Sequence, residues 1–303
     1  MLDLDEMGAP KSPRLRYRLE YLGFRLIGAI FSAMSVEMAS NVAGALMARV
    51  GPLSSKRQSR LMRNLADAYP EMTESQRKKL AREVWRSIGR VIGEFFHLDE
   101  IVRDRIEVAN PELLVEVARS GKGAVICGAH QANWEAASAV FSQYGLRPMA
   151  VYRPMSNPFV DAEMMRRRGK YYTGGLMAKH DRQTPVALIR HVRAGGAVGL
   201  LFDQEALDGL PTPFFGRPAT TTPFPALVAR QCNAPLLLVH GYRTRGVRFK
   251  MFVTRIEAPR SDDRNADIYA ATAAAQAELE KSIRQHPEQW MWTHDRWRVA
   301  PPI

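Results

Sequence analysis

Apolar residues fall along this chain in two alternating rhythms. Short, largely apolar runs at 124–127, 148–152, 197–202 and 235–240 read as strands, the first with the length and β-branching of a buried one. The segment 248–256 alternates apolar and polar positions, as a half-buried strand does. Between and around these lie stretches of helical period. Val84, Trp85, Ile88, Val91, Ile92, Phe95 and Phe96 form one stripe within a helical region at 56–104. Thr73-Glu74-Ser75-Gln76 reads as a capping box opening a helix, and Pro70 ends the helix before it. Further helices are expected at 111–119, 136–141, 161–172, 179–193, 222–233 and 262–285. Pro211, Pro213, Pro218, Pro223 and Pro225 mark 209–225 as a rigid loop. Strands alternating with helices predict an α/β domain whose mixed central sheet is flanked by helices on both faces. The tail with Trp290, Trp292 and Trp297 is expected as a strand or extended cover on the core, or as tryptophans at a bilayer interface.

The N-terminal third has a different texture. Residues 1–13 are polar, broken by Pro10 and Pro13, and are expected as a loose tail with no cleavable signal. Residues 14–104 are expected as a membrane-associated helical region, and 105–303 as the α/β domain. Within 21–50 the chain is rich in Leu, Ile, Ala, Met and Phe, but Glu37 divides it into uncharged runs at 26–36 and 38–48, each of 11 residues. A spanning helix needs roughly 20 apolar residues, and a mid-bilayer charge costs about 3 kcal/mol. A surface-lying helix or re-entrant hairpin is therefore favoured over a span. The remaining option is a helix pair in the core.

The 303 residues are 46% hydrophobic, too apolar for disorder, and carry a net charge of +12. That charge suits an anionic membrane, a phosphorylated lipid or an acidic carrier protein. No helix-turn-helix, zinc-finger or RNA-binding signature accompanies it, so nucleic acid is not expected. Two cysteines, Cys127 and Cys232, fit a reducing compartment, and Cys127 is expected as a small buried strand residue. The histidines at 97, 130, 180, 191, 240, 286 and 294 lack metal-ligand spacing, so neither metal nor cofactor is expected.

Candidate chemistry concentrates at Gly128-Ala129-His130-Gln131-Ala132-Asn133-Trp134-Glu135. His130 falls where a strand ends and a helix begins, the edge at which open α/β sheets bind ligands. Asn133 suits an N-cap, which puts Glu135 in the first helical turn. A carboxylate there can orient one imidazole nitrogen and leave the other as a base. The bland alternative is a capped helix with an isolated histidine. There is no Gly-x-Ser-x-Gly elbow, which disfavours a serine acyl-enzyme. Asp203-Gln204 closes the 197–202 strand at the same edge, and Asp203 is expected in the site. Arg153 ends the 148–152 strand, and Arg166-Arg167-Arg168 ends the most basic helix. Arginine forks bind phosphate bidentately. Arg153 is expected either to hold anionic substrate or to pair with Glu135 or Asp203. Phe214-Phe215 is expected to wall an apolar groove, or else to plug the core. Arg82, Arg86 and Arg90 recur on one helix face and are expected as a solvated ridge, or as a dock for carrier or headgroup.

The chain resembles the lipid A biosynthesis acyltransferases. The matching blocks are His130-Gln131-Ala132-Asn133-Trp134-Glu135, Val151-Tyr152-Arg153-Pro154-Met155-Ser156-Asn157-Pro158 and Phe202-Asp203-Gln204. Pro213-Phe214-Phe215-Gly216-Arg217-Pro218-Ala219-Thr220 and Gln289-Trp290-Met291-Trp292-Thr293-His294-Asp295-Arg296-Trp297 follow in order. The resemblance implies a glycerolphosphate-acyltransferase-like fold and an acyl chain moved from acyl carrier protein to a hydroxyl of a lipid A precursor. It implies that His130 is the base and Glu135 its orienter, with no covalent acyl-enzyme. Arg168, by family position, and Arg153 hold lipid phosphate, supported by Asp203. It also implies work at the cytoplasmic face of a Gram-negative inner membrane, where several relatives carry an N-terminal anchor. Two departures stand out. The family has a glycine where Ala132 or Ala129 sits, and another near Phe224. Another glycolipid or a lysophospholipid as acceptor, and a non-enzymatic lipid-binding protein, remain as alternatives. His294 matches a family position and is expected to be structural.

Overall fold

The structure, a computed structural model, describes residues 15–297, so the tail expected at 1–13 lies outside it. The N-terminal helices are α1 (Leu15–Ser32), α2 (Val36–Val50), α3 (Ser55–Ala68), α4 (Glu74–Glu94) and α5 (Leu98–Asp104). The capping box is present: Thr73 accepts from the Gln76 amide, and the Gln76 side chain returns to the Thr73 backbone. Helix α2 lies so close on α4 that a Cβ on Gly89 or Gly93 would come within 2.4 Å of the carbonyl oxygens of Ala43 and Ala39. The basic ridge of α4 is therefore not a freely solvated face. Arg86 pairs with Glu83, Arg90 is half-buried and bonds Asn41, and their stems pack over Gly44.

The α/β part follows with β1 (Ile106–Val108), α6 (Glu112–Ser120), β2 (Ala124–Gly128), α7 (Trp134–Ala139), β3 (Pro148–Tyr152) and α8 (Pro158–Gly169). Next come β4 (Gly175–Ala178), α9 (Thr184–Arg193), β5 (Ala197–Leu201), β6 (Leu210–Phe214), β7 (Arg217–Thr221) and α10 (Phe224–Cys232). The last are β8 (Leu236–Arg243), β9 (Phe249–Ile256) and α11 (Arg264–Gln285). Seven strands form one sheet in the order β1-β9-β8-β2-β5-β3-β4. Every neighbouring pair is parallel except β8–β9. The sheet is mixed and covered by helices on both faces, as expected.

Its alternating side chains divide the core. Val125, Cys127, Val198, Leu236 and Leu238 face α10 and α11, in a cluster continuous with Leu61, Leu65 and Trp85 of α3 and α4. Ala124, Ile126, Ala197, Leu237 and Val239 face Leu114 and Val117 of α6 and Val140 and Phe141 beyond α7. The region expected as a loop at 209–225 is instead the antiparallel hairpin β6–β7. Its prolines at 211, 213 and 218 all take outward positions, where a two-stranded ribbon tolerates a missing N–H.

Helix α1 buries only Gly28 and Phe31. Among the described residues no helix is long and apolar enough to cross a membrane. The tail tryptophans are buried, at 1% exposure for Trp290, 0% for Trp292 and 4% for Trp297, which removes the bilayer-interface option for them.

Candidate active site

Strand β2 ends at Gly128 beside Leu201 of β5. Two residues further along each strand, that register sets His130 next to Asp203. The Asp203 carboxylate grips the histidine twice. It accepts from the His130 backbone N–H at 2.9 Å and lies 2.9 Å from ring Nδ1. It also accepts from Trp290 Nε1 at 2.8 Å. Asp203 has no solvent exposure. Burial pushes its carboxyl up, but the His130 ring, the His130 hydrogen bonds and the neighbouring His294 outweigh burial and hold it well below the usual carboxylate range. A carboxylate on Nδ1 fixes the proton there and turns the Nε2 lone pair outward.

The loop that carries His130 is clamped by the C-terminal tail. Met291 N–H donates to the His130 carbonyl at 3.0 Å, and Ala132 N–H donates to the Gln289 carbonyl at 2.8 Å. Ala132 takes φ +50°, the left-handed region that alanine rarely adopts. Asn133 caps α7 as expected, its side chain accepting from Ala136 N–H. Its amide donates to Glu94, a carboxylate with no solvent exposure that also binds Ser40 of α2 and Arg243 of β8.

Glu135 is not the orienter of His130. Its carboxylate is held by Arg168 of α8, with Nε–Oε2 2.8 Å and Nη2–Oε1 2.5 Å. The helical turn that brings Glu135 forward faces it toward α8, and the Arg168 guanidinium also lies 5.5 Å above the Phe95 ring. Asp203, expected to support the phosphate site, is sealed behind the histidine. Arg153 is exposed, lines the cleft, and has no ion pair or hydrogen bond among the described residues. It therefore pairs with neither Glu135 nor Asp203. Arg166 and Arg167 both turn to Glu163. Phe214 and Phe215 do not line the cleft; they are buried against Trp290, Trp292, Trp297 and Tyr69 and plug the core.

His130, Trp134, Glu135, Arg153 and Arg168 rim a cleft of about 390 Å³ whose inner lining is apolar. Gln204 Nε2 lies 3.4 Å from His130 Nε2 and 3.1 Å from His294 Nε2. The two histidine rings are 5.2 Å apart. Burial, and then the His130 charge, pull His294 down to about 4. Sequence reasoning left Gln204 without a role and kept His294 away from the site. The signal for Gln204 was its place beside Asp203; nothing local predicts that the tail brings His294 back to β5. Cys127 is no nucleophile: it donates to the Leu237 carbonyl, and burial pushes its thiol up to about 12.

Comparison with known proteins matches the arrangement to one family. The model of bacterial lipid A biosynthesis acyltransferases matches residues 7–299. A lipid A biosynthesis lauroyltransferase of Escherichia coli K12 is 27% identical over 303 residues, covering 94% of this chain and 93% of that protein. A palmitoleoyltransferase of the same organism is 26% identical over 260 residues, 82% and 81% of the two chains. A phosphatidylinositol mannoside acyltransferase of Mycobacterium tuberculosis is 25% identical over 228 residues, 71% and 62% of the two chains. With the family model spanning the clamped histidine, the cleft and the tail, the chain belongs to the bacterial lipid A biosynthesis acyltransferase family and is an acyltransferase.

Proposed function

We propose that the protein moves a fatty acyl chain from an acyl carrier protein thioester to a hydroxyl of a lipid A precursor, with His130 as base and Asp203 as its orienter. The observation that carries this reading is the buried Asp203 carboxylate on Nδ1, which leaves Nε2, with only the Gln204 amide at 3.4 Å, as the base at the cleft. His130 Nε2 takes the hydroxyl proton as the acceptor oxygen bonds to the thioester carbonyl carbon. The C–S bond then breaks, and the departing thiolate takes the proton from the imidazolium. No bond to the enzyme forms. The Gln204 amide, 3.4 Å from His130 Nε2, is a side-chain donor beside the base for the developing oxyanion.

Arg153, at the rim and without an ion pair among the described residues, is the cation offered to a lipid phosphate. Arg168 keeps its expected place at the cleft, but its first task is to hold Glu135 on the wall. The basic surplus suits an acidic carrier and an anionic leaflet. The exposed apolar residues of α1 and α2 suit the cytoplasmic face of the inner membrane of a Gram-negative cell. The mannoside acyltransferase among the relatives favours one second reading, in which the same machinery serves another glycolipid.

The test compares Asp203→Asn with Glu135→Gln, using purified protein, acyl carrier donors and a radiolabelled lipid A precursor. Asp203→Asn lowers kcat by about 10²–10⁴, the range for losing an oriented general base. Glu135→Gln acts mainly on the KM for acceptor. Near-parental kcat in Asp203→Asn would sink the assignment. Transfer to a mannoside or lysophospholipid but not to the lipid A precursor would select the second reading.

A further inference from the structure

The four parallel strands at the cleft bring one side chain each to a shared line across the sheet. Ile126 of β2 pairs with Gly199 of β5, Gly199 with Ala150 of β3, and Ala150 with Leu176 of β4. All four line the cleft, so the line reads large, none, small, large. Gly128, also in the lining, sits one step nearer His130 on β2. The missing side chains at Gly128, Gly199 and Ala150 leave a diagonal channel. It starts below His130, crosses β5 and β3, and meets Leu176 on the edge strand. Three strand spacings of about 4.7–4.9 Å make that crossing about 14 Å wide. Ser138, Phe141 and Tyr172 roof it, with the Ser138 and Tyr172 hydroxyls bonded to each other. That bond leaves an apolar lumen under a satisfied polar pair.

Gly199 is out of place as a strand residue. Buried parallel strands read as Val, Ile and Leu, and a strand glycine marks the close approach of something else. No protein atom supplies that approach: a Cβ on Gly199 would meet only the Met149 carbonyl at 3.9 Å and the Ala150 Cβ at 4.0 Å. Gly199 also keeps accessible surface although β5 is a central strand. The space is shaped for a flexible apolar chain.

We infer that Gly199 and Ala150 form the floor, and Leu176 the end, of a ruler that sets the length of the acyl chain the enzyme accepts. The inference rests on the acyltransferase reading above and adds the residues that choose the donor. A side chain on Gly199 blocks the channel short of Leu176, and trimming Leu176 extends it. Because a Cβ fits at Gly199, and a β-branched residue suits a central strand, the blocking variant is expected to fold, with a thermal midpoint near the parent's.

The experiment measures kcat/KM of the parent, Gly199→Val and Leu176→Ala with acyl carrier protein charged from decanoyl to palmitoyl. Gly199→Val moves the optimum to shorter chains, with about a tenfold or larger loss against the longest donor the parent uses, as methylenes in an apolar pocket require. The loss shrinks as the donor shortens and is smallest with decanoyl, and Leu176→Ala moves the optimum the other way. A parent that transfers acyl chains while Gly199→Val keeps its length profile, or scales it down uniformly, overturns the ruler alone. A parent that transfers nothing from any donor overturns the acyltransfer reading and the ruler with it.

Discussion

The position of His130 at the cleft is legible in the sequence, because a strand end followed by a capped helix marks the ligand edge of an open α/β sheet. Its partner is not. Spacing along the chain offers Glu135, one turn on; the partner, Asp203, is reached only through the register of β2 with β5. Between His130 and the helix the chain makes a left-handed step at Ala132, after which Trp134 returns to the ring but Glu135 faces Arg168. That step is costly for alanine by about 1–2 kcal/mol. Glycine removes the strain but adds unfolded-state entropy of about 0.4–1 kcal/mol. Ala132→Gly is thus expected within about 1 kcal/mol of the parent in urea melts, whereas Ala132→Val, β-branched in the same conformation, loses several times more. His294 offers a pH test. Its folded value, near 4, lies below the ordinary histidine value of 6.5. Between these the unfolded chain holds a proton that the folded chain does not, so stability is complete above pH 6.5 and falls as pH drops toward 4. The loss approaches about 3 kcal/mol. His294→Asn flattens that part of a urea-midpoint-against-pH curve; a curve unchanged from the parent would show that His294 is not the titrating group.

Strong periodic elements announced themselves, and weakly patterned ones did not. Strand β3, the capping box of α4 and the alternating β9 fall where periodicity placed them. Strand β4, four partly exposed residues on the sheet edge, has too little pattern to read. The hairpin β6–β7 was hidden by its prolines, which signal a loop unless every one faces outward. Helix α2 was ambiguous for another reason. A run of Ala, Gly, Ser and Met suits a bilayer or a tight helix pair, and here the inner face takes the second role. Its inner face closes on Gly89 and Gly93 of α4, and beyond them Ser40 bonds the Glu94 carboxylate that also steadies Asn133. Because the obstructing atoms are backbone, a methyl at Gly93 must push the helices apart. Overpacking costs about 1–3 kcal/mol, and the better helix propensity of alanine returns up to about 1 kcal/mol. Gly93→Ala should therefore lower the thermal midpoint, while Gly23→Ala on α1, where nothing lies within 4 Å, should leave it level or raise it. A Gly93→Ala protein as stable as its parent would show that the two helices are free to separate.

At the scale of the whole molecule, the membrane contact proposed above rests on one surface. Leu15, Leu19, Leu22, Leu26 and Ile30 of α1 stand 48–71% exposed, and Met38, Val42, Leu46 and Val50 of α2 stand 42–56% exposed. Each set recurs every three or four residues, so each is one helical face, and both lie opposite the faces that pack on the body. Arg18 and Arg25 are exposed on α1 and carry no ion pair among the described residues. Glu37, whose charge argued against a span, is paired with Arg105 of the body. Apolar faces fringed with arginine, on helices too short or too polar to cross, support the proposal of a surface-lying anchor. Sedimentation with vesicles of phosphatidylglycerol and phosphatidylethanolamine puts a number on it. Replacing Leu22 and Leu26 together by Asp withdraws apolar area worth about 2 kcal/mol or more, which is roughly a thirtyfold fall in partition. Val186→Asp, also on an exposed apolar residue but in α9, leaves partition unchanged. Added salt weakens binding of the parent without abolishing it, because only the arginine contribution is screened. Equal loss in both variants, or complete loss in salt, would mean that net charge alone draws the protein to the bilayer and that the stripe on α1 meets something other than lipid.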